Sequence, residues 1–412
     1  MINLFFVREN PEDFKRLILK KDPNFPVDRF ISLEKQVSLA KREIEQLRSE
    51  KNRLAKEAQM GITPEIRHES QKISGVLKEM EPFFEKIESE FNDLYLNCPN
   101  IPSEDIPEGN KESNKVIKTV GQQPTFIFEP KNHVELGKHL GWFDFEAAAS
   151  MTGTNFALYK GDAVRMLYSL TMMMLNNNVK HGFSPVLPPY LVNEQSLINA
   201  SNFPIFKDSV YAVSEDKLYL SPTSEVNLTN LYRDTILSAD NLPERSTAWT
   251  SCFRREAGTH GAHERGLIRI HQFEKVELYT VCTPETAQSE HERMVTCAES
   301  ILQQLGLHYR VSLLAAEDCS FASSKTYDIE VWMPGQKAYY EVSSSSNCTD
   351  FQARRTGIRF KQTAQEKAQY AYTLNTSSLA VPRLMVALME TYQQADGTIA
   401  WPEALKNVSI QF

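Results

Sequence analysis

Two stretches in the first hundred residues place apolar side chains alternately three and four apart, and that period leaves little choice of fold. In the first, Phe30, Leu33, Val37, Ala40, Ile44, Leu47 and Leu54 form one seam interrupted only by Lys51. The spacing is a heptad register; it predicts a helix from about Val27 to Glu57, reaching roughly 45 Å. Gly61, Ile62, Thr63 and Pro64 then end the pattern, because glycine and proline do not continue a helix. A second seam, Ile73, Leu77, Met80, Phe84, Ile87, Phe91 and Leu94, repeats the register, with Pro82 inside it expected to kink or locally break the helix. Two matched stripes joined by a short turn predict an antiparallel coiled-coil hairpin over about residues 27–97.

The surface of that hairpin reads two ways. Arg42, Arg48, Lys51, Arg53 and Lys56 cluster toward its tip and suit phosphate contacts. Glu43, Glu45, Glu50 and Glu57 are interleaved with them, which also fits a solvated face or a dimerisation coil. Formal net charge is -8, so a nucleic-acid partner must meet a local basic surface. After the hairpin, Asn97-Cys98-Pro99-Asn100-Ile101-Pro102 and the residues through Asn114 are rich in proline, glycine and asparagine and read as a linker, extending to about residue 117. With 412 residues the chain fits two domains, an N-terminal one over 1–102 and a second over 103–412. No apolar run approaches the roughly 20 residues a bilayer span needs, and the opening residues lack the basic flank and cleavage site of a signal peptide. Six scattered cysteines form no CxxC pair, which fits free thiols in a reducing cytoplasm.

From about Lys118 the pattern changes to short apolar runs between turns, with a helix expected over Ala163 to Val179 leading into a proline-flanked strand at 182–189. The informative stretch is Cys252-Phe253-Arg254-Arg255-Glu256, a turn-rich loop from Ala257 to Gly266, then Leu267 to Tyr279. Read as a hairpin of two strands, it puts Arg254 and Glu256 on one face of the first. Arg269, His271, Phe273, Lys275 and Glu277 then share a face of the second, with Ile268, Ile270, Val276 and Leu278 behind. Guanidinium forks for phosphate, a ring for a base and carboxylates for an ammonium are what a nucleotide and an amino acid require. Glu341-Val342-Ser343-Ser344 reads as a strand ending in glutamate followed by hydroxyls, hard oxygen ligands suited to Mg²⁺, or equally a plain polar turn. Further on, Asn375-Thr376-Ser377-Ser378 leads into a helix expected over Leu379 to Tyr392. There Ser378 is the expected N-cap, Pro382 falls in the first turn, and Arg383 sits at the positive end of the dipole, suited to phosphate or equally to a structural salt bridge. A glycine-rich phosphate loop, a GxSxG elbow and an HExxH helix are all missing from the sequence.

In this order, and behind this arm, these residues resemble the bacterial-type seryl-tRNA synthetases, a family of class II aminoacyl-tRNA synthetases. The likeness covers essentially the whole chain: the hairpin, NCPNIP, Pro222-Thr223-Ser224-Glu225, Phe253 to Gly258, Arg265 to Glu277, Glu341 to Ser344 and Leu374 to Arg383. The resemblance implies an α+β protein in which an antiparallel-sheet catalytic domain follows the coiled-coil arm. It implies Arg254 on the α-phosphate and serine carboxylate, Glu256 on adenine, Arg269 on the γ-phosphate, Phe273 stacked on adenine and Arg383 on its other face or near the phosphates. Arg254, Arg269 and Arg383 would be the catalytic residues, with Arg255, Val342 and Ser343 among the other positions at ATP. Glu341 and Ser344 would ligate Mg²⁺; Thr223, Ser224, Glu225, Glu277, Asn375 and Ser377 would surround serine. The implied reaction makes seryl-adenylate from ATP and L-serine, then loads serine tRNA, with selenocysteine tRNA an open second acceptor, in a cytoplasmic homodimer. The chain departs from the family in having Thr376, Ser378 and Pro382 where glycines are usual, and its arm reads slightly short. An adenylating relative that serves a carrier protein, and an inactive coiled-coil scaffold, are the competing readings.

Overall fold

The computed structural model describes residues 1–257, 266–406 and 408. The chain divides into two compact units, Met1–Ile101 and Pro102–Phe412. In the first, two short helices, Leu4–Glu9 and Pro11–Lys21, precede two long ones, Val27–Ala58 and Pro64–Leu96. Arg29 reaches Glu90 (2.6 Å) and Arg48 reaches Glu81 (2.7 Å), so partners advance along one helix as they retreat along the other: the pair is antiparallel. Both seams are buried where the heptads place them, with Ile44, Leu54, Ile73 and Leu77 forming a satellite core. Phe30 packs in tilted ring contacts against Phe14, Phe25 and Phe91. Thr63 caps the second helix, its hydroxyl accepting from the amide of Ile66 at 3.3 Å, and Pro64 takes the first turn, where its missing donor costs nothing.

Pro82 does not break the helix, contrary to the sequence expectation. The helix runs through it from Pro64 to Leu96, with Leu77 before it packed on Ile44 and Leu54 of the partner helix and Ile87 after it buried. Burial of that seam offsets the roughly 3 kcal/mol an internal proline costs.

The second unit is built on an eight-stranded sheet. Its strands in chain order are β1 (Lys115–Val120), β2 (Ser184–Pro185), β3 (Glu244–Phe253), β4 (Gln272–Cys282), β5 (Tyr309–Leu313), β6 (Lys325–Met333), β7 (Ala338–Asn347) and β8 (Tyr372–Ala380). The spatial order is β1-β5-β6-β7-β8-β4-β3-β2, antiparallel throughout except that β2 pairs parallel with β3. Helices Asp162–Lys180, Ala287–Gln304 and Val381–Thr391 bury Met166, Leu170, Ile301, Leu384 and Leu388 with Val276, Tyr309, Ile329 and Val331 of the sheet. This apolar side of β4 leaves its alternate residues Phe273, Lys275 and Glu277 on the opposite face.

The stretch read as a linker belongs partly to this unit. Ile106 is buried with Leu313 and Leu314, Asp105 pairs with Lys325, and the Asn114 amide donates to Asp318 at 2.7 Å. All six cysteines are free and buried. Among the described residues no helix is long and apolar enough to cross a membrane.

Candidate active site

The chemistry-bearing residues gather on the polar face of β4, though not by the strand alternation the sequence suggests. β3 stops at Phe253 and β4 starts at Gln272, so Arg254, Glu256, Arg269 and His271 lie on the connecting segment. Glu256 adopts φ +50°, which no strand residue does. What extends the hairpin past its strands is a local clasp. The Arg254 amide donates to the His271 carbonyl at 2.8 Å, and His271 Nδ1 lies 2.9 Å from the Arg254 carbonyl. Arg269 then reaches Glu256 at 2.8 Å. Residues 258–265, including Gly258 and Arg265 of the sequence motifs, lie outside the described residues.

A cavity above β4 is lined by Arg254, Glu256, Arg269, Phe273, Lys275, Glu341, Val342, Ser377, Pro382 and Arg383. The Arg254 guanidinium lies 5.2 Å from the centre of the Phe273 ring. Arg383 is held by the carbonyls of Ile268 (3.2 Å) and Glu341 (2.8 Å). Four cationic groups, one ring and two carboxylates thus face a single space, suited to a polyanion bearing a flat base.

A second cavity meets the first at Arg254 and Glu256 and is lined further by Thr223, Glu225, Asn202 and Ser320. Beneath it lies a buried polar cluster. Glu225 Oε1 accepts from Gln352 (2.7 Å) and Asn375 (3.2 Å), while Glu277, 1 % exposed, pairs with Lys275 through Oε2. Burial pushes Glu225 up to about 7, and the neighbouring Glu277 charge adds to the rise. Each carboxylate therefore holds one oxygen in the scaffold, leaving its second oxygen without a hydrogen bond among the described residues. Such a pair suits an ammonium group.

The Thr223 hydroxyl caps helix Ser224–Thr229 and is fully committed. It accepts from the Glu225 amide (3.2 Å) and Lys275 Nζ (2.7 Å) and donates to Glu277 Oε2 (3.2 Å). Ser224 is buried, its hydroxyl without a partner among the described residues, and lines neither cavity. Arg255 is exposed and also lines neither; its amide donates to the Ser209 carbonyl at 2.9 Å.

Glu341 does not end its strand; β7 continues to Asn347. A bulge sets two residues of β7, Val342 and Ser343, against Ile329, and this shifts the alternation by one. Glu341 and Ser344, three apart, consequently share a face with Asp328 and Glu330 across the ladder. Asp328 Oδ1 is buried without a partner among the described residues, and burial beside Glu341 pushes its carboxyl well up. A carboxylate, a hydroxyl and an orphaned carboxylate oxygen are hard donors and fit Mg²⁺. The described residues contain no group of three or more His, Cys, Asp or Glu placed to hold a metal alone, so an ion here needs oxygens from a ligand. Ser343 faces away, its hydroxyl donating to the Ser377 carbonyl at 2.5 Å.

Ser378 is not an N-cap. It belongs to β8, where its hydroxyl donates to Asn178 at 2.8 Å, and the helix starts at Val381 with Ala380 as an N-cap that makes no side-chain bond. Pro382 does fall in the first turn. Two of the residues standing in for glycines are absorbed by hydrogen bonding, Thr376 meeting Ser345 at 2.6 Å and Ser378 meeting Asn178, while the positive φ falls on Leu379 at +85°. Lys275 carried no functional reading in the sequence; its alternation with Phe273 and Glu277 was the available signal.

Comparison with known proteins places the fold in a family. Residues 1–102 match the seryl-tRNA synthetase N-terminal domain, and residues 209–392 the class II tRNA synthetase core domain (G, H, P, S and T). The serine–tRNA ligase of Chlamydia abortus is 42% identical, the match covering 98% of this chain and 97% of the relative; that of Syntrophobacter fumaroxidans is 42% identical, covering 98% of each. The seryl-tRNA synthetase of Pyrococcus horikoshii, solved in complex with ATP, superposes with a TM-score of 0.93 at 33% identity over 99% of this chain and 98% of that one. The chain belongs to the serine–tRNA ligase family of class II aminoacyl-tRNA synthetases.

Proposed function

We propose that this chain activates L-serine with ATP as seryl-adenylate and transfers the seryl group to the 3′ end of serine tRNA. The observation that carries the reading is the meeting of two cavities at Arg254 and Glu256, one lined by cations and a ring, the other by Thr223 and Glu225 over the buried Glu277. ATP lies in the first, with Phe273 on adenine, Glu256 at its amino edge, and Arg269 and Arg383 on the phosphates. Serine lies in the second, its ammonium between Glu225 and Glu277. Arg254, shared by both, holds the α-phosphate and the serine carboxylate together.

The serine carboxylate attacks the α-phosphorus, a mixed carboxylic–phosphoric anhydride bond forms as the bond to pyrophosphate breaks, and no side chain becomes a nucleophile. Rate enhancement comes from alignment and from neutralising charge on the phosphates by Arg254, Arg269 and Arg383. Glu341 and Ser344 would hold Mg²⁺, which when bound screens phosphate charge. In the second step a ribose hydroxyl of the terminal adenosine attacks the seryl carbonyl and adenylate leaves. Serine is separated from alanine because a site built to hydrogen-bond a hydroxyl leaves polar groups unpaired without one.

The arm supplies tRNA contacts. Arg48 is tied to Glu81, and Arg53 to Glu50 and Glu57, whereas Arg42, Lys51 and Lys56 stand exposed for phosphates. The boundaries assigned are an N-terminal tRNA-binding domain over 1–102 and a catalytic domain over 103–412, working in the cytoplasm as a homodimer. Selenocysteine tRNA shares the acceptor chemistry and is a candidate second substrate. Incubation with radiolabelled serine, ATP and either serine tRNA or an acyl-carrier protein tests the assignment. Label on tRNA is the expected outcome, and label on the carrier alone would overturn it.

A further inference from the structure

We infer that Lys275 is a positioning residue for serine selection, acting through Thr223 and Glu277; this rests on the serine pocket proposed above. The residue is 6 % exposed, in a unit where buried lysines need partners, and it has two: Thr223 Oγ1 at 2.7 Å and Glu277 Oε2. The three side chains close a ring, since the Thr223 hydroxyl donates back to Glu277 Oε2 at 3.2 Å.

The ring has two chemical consequences. A threonine hydroxyl offers one donor and two acceptor positions. With the Lys275 ammonium and the Glu225 amide filling both acceptor positions, its hydrogen is forced onto Glu277, so that hydroxyl fixes the carboxylate rather than the ligand. Glu277 is thereby gripped at Oε2 from two sides, and Oε1 is the oxygen left for serine. The second consequence is charge. Two carboxylates, Glu225 and Glu277, cluster with one lysine, a net formal charge of minus one suited to an incoming ammonium, while Arg254 beside Glu225 is the cation suited to the carboxylate. Without Lys275 the pocket would hold two unpaired carboxylates, and Glu277 would lose one of its two anchors. The lysine also lines the ATP-side cavity, so it sits at the floor where the two ligands meet.

A lysine that merely supports the fold would affect both ligands together; one that orients Glu277 affects serine. Kinetics of ATP–pyrophosphate exchange with Lys275→Met, Lys275→Arg and Thr223→Val separate these. The expected result for Lys275→Met is a rise of about 30-fold in KM for serine with KM for ATP within about threefold, as for loss of a hydrogen bond to a charged group. Discrimination between serine and alanine should fall with it. Lys275→Arg, which keeps the charge and donors, should recover part of the loss. Thr223→Val, which leaves every charge in place, should raise KM for serine about tenfold, so the inference stays testable should Lys275→Met fail to fold. Unchanged KM for serine in these variants, or equal rises for serine and ATP, would overturn the inference. Absence of serine-dependent exchange in the unaltered protein would instead overturn the pocket assignment itself.

Discussion

The arm and the catalytic unit solve the problem of placing side chains in opposite ways. In the arm, position follows from period: each residue three or four further along returns to the same face, and Phe30, Ile44, Leu54, Ile73 and Phe91 are all buried as the heptads require. Around the active site, position follows from interruptions. Glu256 at φ +50°, Leu379 at +85° and the bulge at Val342–Ser343 each break a regular element and thereby aim a functional side chain. A buried seam can be read off a repeat; a site that clasps two small molecules needs irregular backbone that a repeat cannot supply.

The largest effect that sharpens this contrast is on tRNA charging. Reversing Arg42, Lys51 and Lys56 to glutamate in the full chain should lower kcat/KM for tRNA charging by about 100-fold at low salt, since several phosphate contacts become repulsions. Serine-dependent exchange should stay within about twofold. A parallel loss in both assays would show that the arm's surface is not separable from the chemistry.

Next comes the serine pocket. Glu225 ionises near 7 in the ligand-free pocket, so its carboxylate fraction rises about tenfold between pH 6 and pH 8. KM for serine should fall by about the same factor over that window, because an ammonium binds the ionised form. The stability sign runs the other way. The folded pKa lies above the unfolded value near 4.5, so the folded state holds the proton more tightly. Stability contributed by this group is complete at acid pH, declines as pH rises from about 4.5 to 7, and is flat above. A pH-independent KM for serine would remove Glu225 from the ammonium site.

Most of the fold was legible because it rests on periods the chain displays. Both arm helices, the helix at 162–180 and the alternation along β4 follow from 3.6- and 2-residue repeats. The identities of the cavity residues were legible too, as charged and aromatic types clustered in short motifs. Their local conformation was not. Alternation from Arg269 to Glu277 looked like one strand, yet the strand begins at Gln272, since parity cannot tell a strand from a clasped turn that extends it. Ser378 looked like a cap because its neighbours favour helices, but sheet pairing of β8 and the bond to Asn178 prevailed. Lys275 was placed on that face without a role because its meaning lies in Thr223, 52 positions away along the chain.

A smaller effect tests the claim about irregular backbone. Leu379→Gly relieves a conformation costing about 1–2 kcal/mol but empties a side chain that is fully buried, a loss of about 3–4 kcal/mol. Packing wins, and the variant should be about 2 kcal/mol less stable by urea denaturation. A more stable variant would mean that strain, not packing, dominates at this turn.

The central proposition is that arginines, a ring and acids from separate stretches converge on one face to join ATP and serine. Amino-acid-dependent ATP–pyrophosphate exchange, compared between the unaltered chain and Arg254→Ala, tests it most directly. Exchange should require serine and fall by about 10³-fold in the variant, as for loss of a donor to transition-state charge. Exchange driven equally by other amino acids, or near-normal exchange without Arg254, would contradict it.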